Sequence, residues 1–205
     1  GNIASYLAPE YPTLMRVGGP NAGHYVLDDD GTKYCHRLLP SGSRRSHRPD
    51  LLIGPGATLN LEILRKEIEE CGARGRLLIH PQAAVILDDD IAREQSLVQS
   101  IGSTGQGVGS CAARRILRDG STVLAHDVPE LHEYLFDTTV SAWHRLRDGS
   151  PILLEGTQGT SLSLFHGSYP HTTSRDTSVS GTCSEAGIAP HLVRDVFMVL
   201  RVNPI

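Results

Sequence analysis

Three short apolar runs, each ending in a glycine turn, constrain this fold more than any other feature of the chain. They are Thr13–Val17 before Gly18-Gly19, Leu51–Ile53 before Gly54-Pro55-Gly56, and Ile152–Leu154 before Glu155-Gly156. Ile152–Leu154 lacks polar alternation, as a strand covered on both faces should. Leu77–Ile79 reads as a further short strand, and the stretches between these runs carry helical patterns. Leu61, Leu64, Ile68 and Cys71 fall on one face of a helix stopped by Gly72. Ala92–Val98 predicts another helix, Ile3, Tyr6 and Leu7 a short one ended by Pro9, and residues 127–147 a helical region broken near Asp137. Asp127 and Glu130 make a capping-box pattern for that region. After the last glycine segment come a small-residue helix and a strand at Val196–Val202. Strands alternating with helices predict an α/β fold: one domain over residues 1–205, with a mostly parallel sheet between helices on both faces.

Open sheets of this kind place ligand contacts at the carboxyl ends of their strands, and the polar letters gather there. Gly18-Gly19-Pro20-Asn21-Ala22-Gly23-His24 follows the first run. Gly102-Ser103-Thr104-Gly105-Gln106-Gly107-Val108-Gly109 has glycines at alternate positions, a pattern that suits an anion nest of backbone N–H groups. Glu155-Gly156-Thr157-Gln158-Gly159 brackets an amide that both donates and accepts, as recognition of a purine edge requires. Thr172-Thr173-Ser174-Arg175-Asp176 adds hydroxyls and a guanidinium suited to phosphate. The same letters equally suit flexible connections capped by Ser and Thr. Between the first two loops, Tyr25–Leu27 and Lys33–Leu39 read as a hairpin turning at Asp28-Asp29-Asp30-Gly31.

Composition narrows the ligand class. A net charge of −4 argues against a nucleic-acid surface, but local N–H groups and cations still accommodate a nucleotide. No apolar run approaches the ~20 residues of a membrane span, and no charged-then-apolar leader opens the sequence, so the expected location is cytoplasmic. The four cysteines form no CxxC pair and read as reduced, buried thiols. The ten histidines include no metal-binding spacing such as HExxH. Trp143 reads as a packing residue.

Taken together, GGPNAGH (18–24), LLPSG (38–42), GSTGQGVG with the later Ala113-Arg114-Arg115, and EGTQGTSLSLFHGSYPHTTSRD (155–176) resemble the motifs of the adenylosuccinate synthetases. GTQG and TSRD look closest to the short archaeal enzymes and to the phage branch that uses dGMP in place of IMP. The resemblance implies the adenylosuccinate synthetase fold, which is P-loop-NTPase-like. It implies a ligase that joins L-aspartate to the 6-position of a purine monophosphate through a 6-phosphoryl intermediate, with GTP or ATP as donor and Mg2+ as cofactor. On the matching positions, Asn21, Ser103, Thr104, Thr173 and Ser174 would hold the nucleotide, with Leu162 against the base. His24 and Gln158 would act at the purine, Gly23 would offer a carbonyl to magnesium, and Arg114 would reach the nucleotide of a second subunit in a homodimer.

The same comparison marks what these residues do not contain. There is no GxxxxGK[ST], no GDEGKG and no (N/T)KxD among the 205 residues. The expectation is therefore the middle of a catalytic domain, or else a reduced relative that binds a purine nucleotide as a sensor or subunit.

Overall fold

The computed structural model describes residues 1–28 and 30–200. In chain order the elements are α1 (Asn2–Leu7), β1 (Thr13–Arg16), β2 (His24–Leu27), β3 (Lys33–His36), β4 (Asp50–Ile53), β5 (Thr58–Leu59) and α2 (Leu61–Glu70). They continue with β6 (Leu77–Ile79), β7 (Ala84–Val85), α3 (Asp88–Ile101), α4 (Val108–Leu117), α5 (Thr138–Arg147), β8 (Ile152–Glu155) and α6 (Val179–Ala186). The main sheet is parallel, in the order β6-β4-β1-β8. Successive strand residues face opposite sides, so the short runs feed two cores. Leu14, Leu51, Ile53 and Leu153 join Leu64 and Ile68 of α2 on one face. Met15, Leu52, Ile152 and Leu154 join Ala142 of α5 and Ala186 of α6 on the other. The expected α/β layering is present.

Several expectations need correction. β8 pairs with β1 alone among the described strands, so Ile152–Leu154 lie half-buried at a sheet edge rather than fully covered. β3 stops at His36, short of Leu39, because the next amides leave the ladder. Arg37 and Leu39 instead donate to the buried Glu67 carboxylate of α2, at 2.6 and 2.7 Å. The hairpin turn keeps Gly31 at φ +84°, while Asp29 lies outside the described residues. α3 is longer than Ala92–Val98, since Asp90 accepts from Leu87 N at 2.9 Å and three aspartates favour the positive end of the helix. Asp127 accepts from Leu124 N and so belongs to the turn before Pro129 rather than capping a helix there. The break near Asp137 is real: a 3-10 stretch ends at Tyr134, and the Asp137 side chain then caps α5 through Val140 N at 3.0 Å. Residues 196–200 form no strand; Arg201 and Val202 lie outside the described residues. Trp143 is half-exposed, with the Arg147 guanidinium 4.9 Å over its ring. No described helix is long and apolar enough to cross a membrane, and the four cysteines are free thiols.

Candidate active site

The parallel register aligns Arg16 with Glu155 at the carboxyl ends of β1 and β8. Both are buried, with Arg16 Nη1 4.0 Å from Glu155 Oε2. Arg16 also donates to the carbonyls of Leu39 and Ala22, which holds the backbone just before Gly23 and His24. His24 Nδ1 then meets Glu155 Oε1 at 2.5 Å, and Ser41 donates to the same carboxylate from its N (2.7 Å) and its hydroxyl. Burial alone would push the Glu155 pKa up; Arg16 and the hydrogen bonds from His24 and Ser41 outweigh it and hold the carboxyl well below the usual range. Burial also lowers the His24 pKa, although the bond to Glu155 opposes it. An ionised carboxylate only accepts, so Nδ1 carries the proton of the neutral ring. The Nε2 of His24 is therefore an acceptor, and it donates only when the imidazole is protonated. A neutral His24 in this tautomer cannot donate to a ligand oxygen through Nε2. Opposite His24 in the hairpin register stands His36, fully buried and held neutral by burial, its pKa lowered to about 3.

The glycine loops converge beside this pair. Gly18 adopts φ +97°, and a Cβ there would lie 2.5 Å from Arg175 Nη1. A Cβ on Gly19 would meet Thr58 Oγ1 at 2.3 Å and Val108 Cγ2 at 2.8 Å. Only glycine lets the first turn lie against both later loops. Asn21 Nδ2 lies 3.4 Å from Thr173 Oγ1, joining residues 152 apart in sequence. Asn21 Oδ1 and Thr58 Oγ1 are buried without a hydrogen-bond partner, leaving polar atoms available to a ligand. Ser174 packs against Gly109, where a Cβ would lie 3.4 Å from Ser174 Cβ. Leu162 is partly exposed and its carbonyl accepts from Thr173 N at 2.7 Å, tying the two halves of the last segment together. Gln158 is half-buried at φ +60° beside Thr157.

Other predicted site residues have different surroundings. Ser103 Oγ accepts from Gly105 N at 3.2 Å within its own loop, and the Thr104 side chain is exposed. The loop amides are not all free for an anion. Glu94, buried on α3, accepts from Gly107 N at 2.8 Å and Ser110 N at 2.9 Å, so a carboxylate already occupies the amino end of α4. Arg175 is buried against Glu185 and Thr157 rather than open to a phosphate. Arg114 points inward: its Nη2 lies 2.6 Å from Asp90 Oδ2, and it donates to the carbonyls of Val85 and Ser121. Within one chain, then, Asp90 and two backbone carbonyls engage the Arg114 guanidinium.

The sequence motifs give no role to Arg16, Glu155, Ser41 or His36. One signal was available: Arg16 and Glu155 are charged letters closing otherwise apolar strand runs.

Known proteins are similar to this chain over nearly its whole length. The family model for adenylosuccinate synthetase matches residues 1–128 and 124–203. The chain belongs to the adenylosuccinate synthetase family. The adenylosuccinate synthetase of Archaeoglobus fulgidus is 36% identical over 210 residues, covering 100% of this chain and 61% of the relative. That of Thermococcus sibiricus is 38% identical over 213 residues, covering 100% and 62%. The chain thus spans about three fifths of the length of these curated relatives. Among solved structures, the fully ligated enzyme of Plasmodium falciparum shares the fold at a TM-score of 0.85 and 21% identity, over 94% of this chain and 56% of that one. Cyanophage S-2L succinoaminodeoxyadenylate synthetase, bound to dGMP and to dATP as an energy donor, superposes at 0.82 with 32% identity, over 93% and 56%.

Proposed function

We propose that the full-length protein joins L-aspartate to the 6-position of a purine nucleoside monophosphate, with IMP as acceptor. A nucleoside triphosphate, GTP or ATP, would supply the phosphoryl group for a 6-phosphoryl intermediate. The observation that supports this best is the meeting of Asn21 with Thr173 next to the His24–Glu155 pair, at the carboxyl ends of β1 and β8. In this reading Asn21, Thr173, Ser174, Ser103 and Thr104 bind the nucleotide, Leu162 lies against the base, and Gln158 meets its edge. His24 works at the 6-oxygen through Nε2, with Glu155 steadying the charge that appears on the imidazole when it is protonated.

Among the described residues no group of three or more His, Cys, Asp or Glu could hold a metal ion. Magnesium fits a different arrangement, in which a few protein oxygens supplement phosphate oxygens, and the Gly23 carbonyl is the ligand this chain would offer. When bound, the ion would neutralise charge on the transferring phosphoryl group.

His24→Ala should lower turnover of the full-length protein by about 10²-fold or more with IMP, aspartate and GTP. Unchanged turnover would remove His24 from the chemistry. Calorimetry with IMP, dIMP, GMP and dGMP checks the acceptor; binding of none of them at millimolar concentration contradicts the reading. Preference for dGMP would instead align the protein with the phage enzyme, whose structure holds that nucleotide. The reading includes a homodimer, to be checked by sedimentation. Exposed Ile116 and Leu117 on α4 and half-exposed Leu97 and Val98 on α3 offer apolar surface for it.

A further inference from the structure

Gln158 reaches the site with its amide already engaged. Thr157 is buried, and its hydroxyl lies 2.6 Å from Arg175 Nη1 and in contact with Gln158 Oε1. A guanidinium can only donate, so the hydroxyl accepts from Arg175 and its single proton is left for a second partner. The Gln158 oxygen is the acceptor within reach. Arg175 is itself buried and fixed by Glu185 on α6, with Nε 2.9 Å from Oε1 and Nη2 2.5 Å from Oε2. The Gly18 backbone packs against the same guanidinium. With φ at +60°, a region few residues other than glycine adopt, Gln158 is also constrained at its backbone.

We propose that Glu185, Arg175 and Thr157 form a polar relay that sets which end of the Gln158 amide faces the ligand, so that the site favours a purine with an acceptor at its 6-position over one with an amino group. The inference rests on the reading above that Gln158 meets the base edge. With Oε1 committed to Thr157, Nε2 and its two protons are what the ligand meets. A 6-oxo group accepts from them, whereas a 6-amino group opposes donor to donor and leaves a buried polar group unpaired. IMP and dGMP both carry the 6-oxo group, so the relay serves either acceptor. Arg175 and Thr157 are positioning residues here, acting through Gln158.

The test is the ratio of IMP to AMP affinity, measured by calorimetry on the full-length protein. Thr157→Val keeps the shape but removes the hydroxyl, freeing the amide to turn over. The ratio should narrow about tenfold, the scale of one neutral hydrogen bond, while Thr157→Ser should retain it. A purely structural role would weaken both nucleotides equally. If Thr157→Val does not fold, Arg175→Lys provides the second measurement. It keeps a charge for Glu185 but not the fork that also reaches Thr157, and the same narrowing is expected. An unchanged ratio in the folded variants, with wild-type protein selecting IMP, overturns the relay and leaves the site reading intact. Wild-type protein that binds neither IMP nor dGMP overturns that reading and the relay with it.

Discussion

Glu155→Ala should reduce turnover of the full-length protein by about 10³-fold and lower its folding stability by about 3–5 kcal/mol. The stability loss arises because Arg16, only 2% exposed, would be left as a buried charge without its carboxylate. The loss of turnover has a separate origin. Without Glu155, the His24 Nδ1 proton loses the carboxylate that accepts it, and the imidazole is no longer held in one tautomer. Glu155→Gln separates the two, since it keeps the shape and an oxygen for Ser41 but removes the charge. Wild-type turnover in that variant would show that His24 does not depend on the carboxylate.

The same residue predicts a pH dependence. The folded pKa of Glu155 lies below the unfolded one, despite the burial that opposes this, because Arg16, His24 and Ser41 favour the ionised form. Its contribution to stability is therefore complete above the unfolded carboxyl value of about 4.3. It is lost as pH falls below that value toward the folded pKa. Urea unfolding of wild-type and Glu155→Gln proteins should show a stability gap that is constant near neutral pH and shrinks in acid. A gap that widens on acidification would contradict this sign.

Arg114→Ala should act as a folding mutation, costing about 3–5 kcal/mol. Asp90 is 1% exposed and receives both Nε and Nη2 of Arg114, at 3.2 and 2.6 Å. Removing the arginine strands a buried carboxylate and takes a donor from the Val85 and Ser121 carbonyls. Arg114→Lys should recover little, because an ammonium cannot reproduce the fork. Pairing Arg114→Met with Asp90→Leu should restore much of the loss, since replacing both ends of a buried ion pair with apolar groups is often tolerated. Denaturant unfolding measures all three. If Arg114→Ala unfolds like wild type and only weakens nucleotide binding, the inward placement does not govern its role, and the arginine serves a second subunit as the family resemblance implied.

The contrast between these residues shows what the letters carry. Apolar runs ending in glycine follow from short-range rules of side-chain alternation and backbone freedom, so the sheet, α2 with its stop at Gly72, and the ligand turns could be read directly. Family motifs added Asn21, His24, Gln158 and Thr173 as candidates, and Asn21 and Thr173 do come together. Partner choice is different, because it depends on register and on contacts between residues far apart in sequence. Nothing local to Arg114 or Arg175 says that Asp90 and Glu185 await them, and both arginines read as phosphate ligands until the fold turns them inward. Glu94 likewise reads as an ordinary helix residue until α3 lies beside the amino end of α4. Sequence by itself determined the layered fold and the loops that carry the candidate site. Tertiary structure decided which charges remain for a ligand, because a buried ion must find its counterion within the protein before it can serve anything outside it.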